Sequence, residues 1–210
     1  MSTTFESLTR YKRRYDLREL YAAAVLLPHA IAALAANRRE PVMDGRAVER
    51  IMLAVTEVNG CSACSWAHTR MALREGMSGE EISALLSGDG ELVPPEEAMG
   101  VVFAQHYADS RAHPDRAAFD TLVNAAGPER ARTVLAAAQV MQVANIYGIP
   151  LSALHARLRG APYAESTLGY EVGMQVAGAL VLPAALAHGL ARWASGAPAA
   201  RFGTPEGEPG

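Results

Sequence analysis

The stretch GRAVERIMLAVTEVNGCSACSWAHTRMALREG, residues 45–76, reads as helix, stop and helix, and it holds both cysteines of the chain. Val48, Ile51, Met52, Val55 and Val58 recur at steps of three and four residues, the period of a helix with one apolar face. Asn59-Gly60 supplies a left-handed stop. Cys61 therefore stands at or beside the N-terminus of the next helix, which carries Cys64 and His68 on to Arg74 and stops at Gly76. Cys61 and Cys64 are three residues apart and His68 is four beyond Cys64, so on a helix all three side chains point the same way.

The same pattern extends in both directions. Asp16 with Glu19 has the form of a capping box, opening a helix through Leu20, Tyr21 and Ala24 that Pro28 kinks or ends, with a second piece running toward Asn37. Ser78 with Glu81 is another capping box, starting a short helix that stops at Gly88. Pro94-Pro95-Glu96-Glu97 suits a helix N-terminus, and His113-Pro114-Asp115 and Gly127-Pro128 break the chain further on. Glu129 to Ile146 reads as a long buried helix, with Gly148 and Pro150 expected to mark a turn. No sustained two-residue alternation occurs, so the expected fold class is all-α, a single-domain helical bundle. Its expected organisation is an N-terminal helical arm over residues 1–40, a core over 41–160, and a C-terminal helix over 161–194 packed on the core or on another subunit. The Gly-, Pro- and Ala-rich stretch 195–210 is expected to be disordered.

Composition narrows the function. A formal charge of −3 and the short Lys12-Arg13-Arg14 triplet argue against nucleic acid as a partner. The segment from Tyr170 to Trp193 is long and weakly polar, but it contains Glu171, Gln175, Pro183 and His188, and much of its apolar character is Ala and Gly. It is expected to pack as a helix or form a subunit interface, with no membrane partner. Met1 to Glu6 lacks the basic and apolar regions of a secretory signal, which leads to an expected cytoplasmic location. In a reducing compartment a close pair of cysteines is seldom a structural staple, and catalytic or metal-binding roles lead.

Two local features favour thiolate: the helix N-terminus near Cys61 and, less strongly, Cys64, and His68 one turn beyond Cys64 as a proton acceptor. A second thiol three residues away can also close on an oxidised first sulfur. Zinc is the competing use of such a pair, with Cys61, Cys64 and His68 as three ligands and Glu49, His106 or His113 as a fourth. Covalent haem is disfavoured, because Ser65 stands where that attachment needs histidine. A carboxylate orienting His68 would sharpen the redox reading, and Glu49 and Glu57 are both available on the preceding helix.

Glu49, eleven residues, then Cys61-x-x-Cys64-x-x-x-His68 with Asn59-Gly60 leading in resembles the alkylhydroperoxidase D-like branch of the carboxymuconolactone decarboxylase family. The resemblance is strongest from about Ala47 to Leu86. It implies an all-helical fold, assembly as a homo-oligomer (a trimer or a multiple of it), and a thiol-dependent peroxidase or disulfide oxidoreductase that needs no bound cofactor. It also implies roles. Cys64 is the peroxidatic nucleophile, Cys61 resolves it to a disulfide, and His68 with Glu49 relays the proton. The partners implied are a hydroperoxide or disulfide substrate and an external dithiol reductant. The dipole argument alone favours Cys61 as the more acidic thiol, and the resemblance favours Cys64. Some members carry histidine between the cysteines, where this chain has Ala63. Decarboxylation of a small lactone acid, as the family name suggests, has no need of paired thiols.

Overall fold

Asp16, Asp44, Ser78 and Thr167 each accept a hydrogen bond from the backbone N–H three residues on, and each opens a helix. At Asp16 and Ser78 the reciprocal bond from Glu19 and Glu81 completes the box expected from the sequence. In the computed structural model, which describes residues 11–203, these caps belong to a set of nine helices. They are α1 Leu17–Ala24, α2 Leu27–Arg39, α3 Gly45–Asn59, α4 Ser62–Arg74, α5 Gly79–Leu86, α6 Pro95–Asp109, α7 Arg116–Ala126, α8 Pro128–Leu158 and α9 Leu168–Ala194. Among the described residues there is no strand, only one isolated bridge between Asp115 and Gly203. The all-α expectation holds.

The bundle is organised around α8, which packs against α1, α2, α3, α4, α6, α7 and α9. A helix surrounded on all sides must be apolar on all sides, and Val134 to Ala138, Met141, Ile146 and Ile149 are buried around its whole circumference. Here the expected turn at Gly148 and Pro150 is corrected: α8 runs unbroken to Leu158, with Pro150 inside it. Proline removes the N–H that Ile146 C=O would accept, a cost of about 3 kcal/mol in an isolated helix. Burial of Ile149, Pro150, Ser152 and Ala153 against the neighbouring helices outweighs it.

Leu20, Ala24 and Val25 from the N-terminal helices and Met174 and Ala185 from α9 enter the same core cluster as Leu53, Val55 and Met141. The expected disorder from residue 195 is corrected as far as Gly203. Ala199 O accepts from Gln139 Nε2 at 2.7 Å, and the Phe202 ring lies 5.6 Å from Phe119. Residues 204–210 lie outside the described part of the chain. By length and composition α8 and α9 could each cross a membrane; α8 is wrapped by protein, whereas most of α9 is not.

Ion pairs lock α3 in place. Buried Arg50 donates to Glu97 on α6 at 2.7 Å and to Glu81 on α5 at 3.0 Å. The Ser78 N–H, and then Arg50 against the opposing pull of desolvation, holds the Glu81 carboxyl at about 2, below its ordinary 4.5. A carboxylate with a depressed folded-state value stabilises the fold above its unfolded value and loses that contribution as pH falls through the folded one. Melting temperature is therefore expected to drop between pH 4.5 and about 2, and Glu81→Gln should flatten that part of the profile.

Candidate active site

Gly60, at φ +73°, ends α3 in the left-handed conformation and turns the chain into α4. Cys61 is the N-cap of α4, and its Sγ accepts the Cys64 N–H at 3.3 Å. The neighbouring Ala63 N–H is taken by Ser152 Oγ at 3.1 Å. One free donor of the first helical turn is thus aimed at the Cys61 sulfur, the arrangement that stabilises negative charge there. The two cysteines are joined as a disulfide with their Cα atoms 5.2 Å apart. Cys61 has no exposed surface and Cys64 is 9% exposed, so Cys64 is the sulfur that faces out.

His68 lies on the same face of α4, and its Nδ1 is 2.8 Å from Glu49 Oε2 across the α3–α4 contact. A carboxylate only accepts, so Nδ1 carries a proton, and in the neutral ring the lone pair is on Nε2. Glu49 itself is buried. Glu57 is not brought to this centre. Its carboxylate pairs with Lys12 Nζ at 2.9 Å, and the same Lys12 also donates to Glu57 O. Of the two carboxylates open in the sequence, the structure therefore puts Glu49 on His68 and turns Glu57 away.

Cys64 and His68 open into a groove of about 550 Å³ whose other walls come from α2, α8 and α9, including Ile31, Val140, Leu151 and Leu182. Among the described residues no Lys, Arg, Asp or Glu lines it. Sequence spacing had no way to show these walls, because they converge from segments more than a hundred residues apart.

Gly148 was missed as a site residue and misread as a turn. A Cβ there would sit 2.8 Å from Cys61 Sγ and 2.9 Å from Cys64 Sγ. The disulfide lies directly on α8, and the missing side chain makes the room. Cys64 Sγ also lies 3.7 Å from Ala144 O on that helix. A glycine inside a long apolar run is the one sequence signal that something approaches closely. Asn145 is buried in mid-helix with its side chain 3.4 Å from Thr56 Oγ1. Next to it Tyr15 OH donates to Asn59 Oδ1 at 2.5 Å, and Asn59 Nδ2 donates to Gln142 Oε1 at 2.8 Å. These bonds tie Asn59, in the stop before Cys61, to the segment leading into α1 and to α8.

Of the candidate fourth zinc ligands, Glu49 is bonded to His68, and His106 and His113 have partners elsewhere. His106 Nε2 accepts from Asp115 N at 3.0 Å, and His113 Nδ1 sits 3.0 Å from Arg111 O. Among the described residues no three of His, Cys, Asp and Glu converge as a metal-binding group.

A paired-cysteine centre at the junction of two helices, backed by a His–Glu pair and set in an all-helical bundle, is the class of protein defined by this geometry. Residues 26–93 match the model of the carboxymuconolactone decarboxylase family. The matched segment begins at the end of the α1–α2 junction and contains Glu49, Cys61, Cys64 and His68. No curated protein and no solved structure gives a significant match to the chain.

Proposed function

We propose that the protein is a thiol-dependent peroxidase or disulfide oxidoreductase of the alkylhydroperoxidase D-like type, acting with an external dithiol in a reducing compartment. The observation that carries this reading is the Nδ1–carboxylate bond between His68 and Glu49, which in the neutral ring puts the lone pair on Nε2, with His68 and Cys64 lining one groove. In the reduced protein, His68 accepts the Cys64 thiol proton. The thiolate attacks the outer oxygen of a hydroperoxide, the O–O bond breaks, and the leaving alkoxide takes a proton to give an alcohol and Cys64 sulfenic acid. Cys61 sulfur then attacks Cys64, releasing water and forming the disulfide.

Return to the dithiol state runs through the outer sulfur. An external thiolate attacks Cys64, and Cys61 leaves as the thiolate that the Cys64 N–H is placed to stabilise. The second external thiolate displaces Cys64, so the donor ends as a disulfide. This division reconciles the two sequence arguments: the helix N-terminus favours Cys61 as leaving group, and exposure with His68 favours Cys64 as nucleophile.

The described residues of the groove lining include no cationic side chain, which supports a neutral substrate over a lactone acid. The homo-oligomer implied by the resemblance stands as part of the proposal. The test is a thiol titration before and after one equivalent of an organic hydroperoxide. Both thiols should disappear in step and return with dithiothreitol, and Cys64→Ser should abolish turnover. Loss of neither thiol, or unchanged peroxide consumption by Cys64→Ser, overturns the reading.

A further inference from the structure

The four glycines of α9 fall into two pairs. A Cβ at Gly178 would meet the Tyr147 ring at 2.6 Å, and one at Gly189 would meet Val25 O at 2.4 Å, so both are needed where α9 lies on the rest of the bundle. Gly169 and Gly173 have nothing within 4 Å of an added Cβ. Gly173 stands well inside the helix, where glycine costs roughly 1 kcal/mol relative to alanine. The packing of this chain does not account for it.

The outward face around it has a regular period. Gly173, Val176, Leu180, Pro183, Ala187 and Leu190 follow one another at steps of three and four residues, and every one is exposed. The same steps reach Gly169 and Ala194 at the two ends. Leu180 is 75% exposed, Val176 60% and Leu190 52%. This is the seam by which one helix packs lengthwise on another. From Val172 to Ala191 the helix carries no Asp, Glu, Lys or Arg.

The seam is also its own complement. Turned end for end about the point between Val181 and Leu182, it sets Gly173 against Leu190, Val176 against Ala187 and Leu180 against Pro183. Small meets large, whereas a parallel pairing would set Leu180 on Leu180 and Gly173 on Gly173. The antiparallel arrangement also opposes the two helix dipoles favourably. We infer that α9 pairs antiparallel with α9 of a second copy of this chain, in a two-fold contact that gives an assembly with an even number of chains. A 27-residue helix is about 40 Å long. A stripe about 10 Å wide along it covers roughly 800 Å² over both partners, the size of a small interface. This inference is independent of the thiol chemistry.

The experiment is mass measurement by light scattering together with directed cross-linking. Wild-type protein should give an even multiple of 22.3 kDa, and Leu180→Glu should halve it with unchanged helicity. In a Cys61→Ser/Cys64→Ser background, chains carrying both Gly173→Cys and Leu190→Cys should form inter-chain disulfides, and chains with Gly173→Cys alone should not. An odd number of chains, a mass unaffected by Leu180→Glu, or self-linking of Gly173→Cys overturns the pairing. Monomeric wild type that sediments with phosphatidylcholine vesicles, and loses this in Leu180→Glu, also overturns it, in favour of a lipid surface.

Discussion

Gly148→Ala is expected to raise the reduction potential of the Cys61–Cys64 pair by about 20–60 mV. The added methyl would lie 2.8 and 2.9 Å from the two sulfurs, well inside contact distance, and the helix on which it sits is held by seven others. Overpacking of this kind costs roughly 1–3 kcal/mol. The cost falls on the oxidised form, because free thiols can rotate apart and bonded ones cannot. For a two-electron couple about 1.4 kcal/mol corresponds to 30 mV, so the disulfide becomes easier to reduce. In the reduced protein alanine gains helix propensity, and melting temperature should hold or rise. Equilibration with glutathione or dithiothreitol buffers gives the potential, and a value equal to wild type would show that α8 relaxes around the methyl.

The second large effect is expected at Glu49. Glu49→Gln keeps the size of the side chain but removes the acceptor-only partner of His68 Nδ1, so the ring no longer has one fixed proton arrangement. Loss of such an orienting group typically costs about 10–100-fold. Alkylation of Cys64 by iodoacetamide in the reduced protein, followed against pH, should slow by that factor near neutrality and change its profile. His68→Ala should slow it by about 10²–10⁴-fold. Glu57→Gln, whose partner is Lys12, should leave it unchanged. Equal rates in wild type and Glu49→Gln would remove Glu49 from the relay.

The helical reading of residues 45–76 transfers almost intact to the structure because its signals are local. Asn59-Gly60 stops one helix, Ser78 and Glu81 cap another, and each acts within a few residues of itself. The failures share an opposite cause. Pro150 reads as a breaker because sequence reasoning weighs one lost hydrogen bond and does not see the helices around α8. Gly148 reads as a turn for the same reason, since the sulfurs that explain it lie more than eighty residues away. Between Glu49 and Glu57 spacing gave no decision; one α3–α4 contact and one lysine did.

The unequal exposure of the two sulfurs has a consequence under oxidant excess. A sulfenic acid that meets a second peroxide before it is resolved advances to sulfinic acid, which dithiols do not reverse. Cys61 has no surface through which peroxide can reach it, so only Cys64 is at risk. Damage to this protein should therefore accumulate on a single sulfur, with the inner cysteine preserved as an intact thiol. Mass spectrometry of protein held in excess hydroperoxide would find its first irreversible 32 Da gain on the peptide position of Cys64 alone, a mass of about two oxygen atoms.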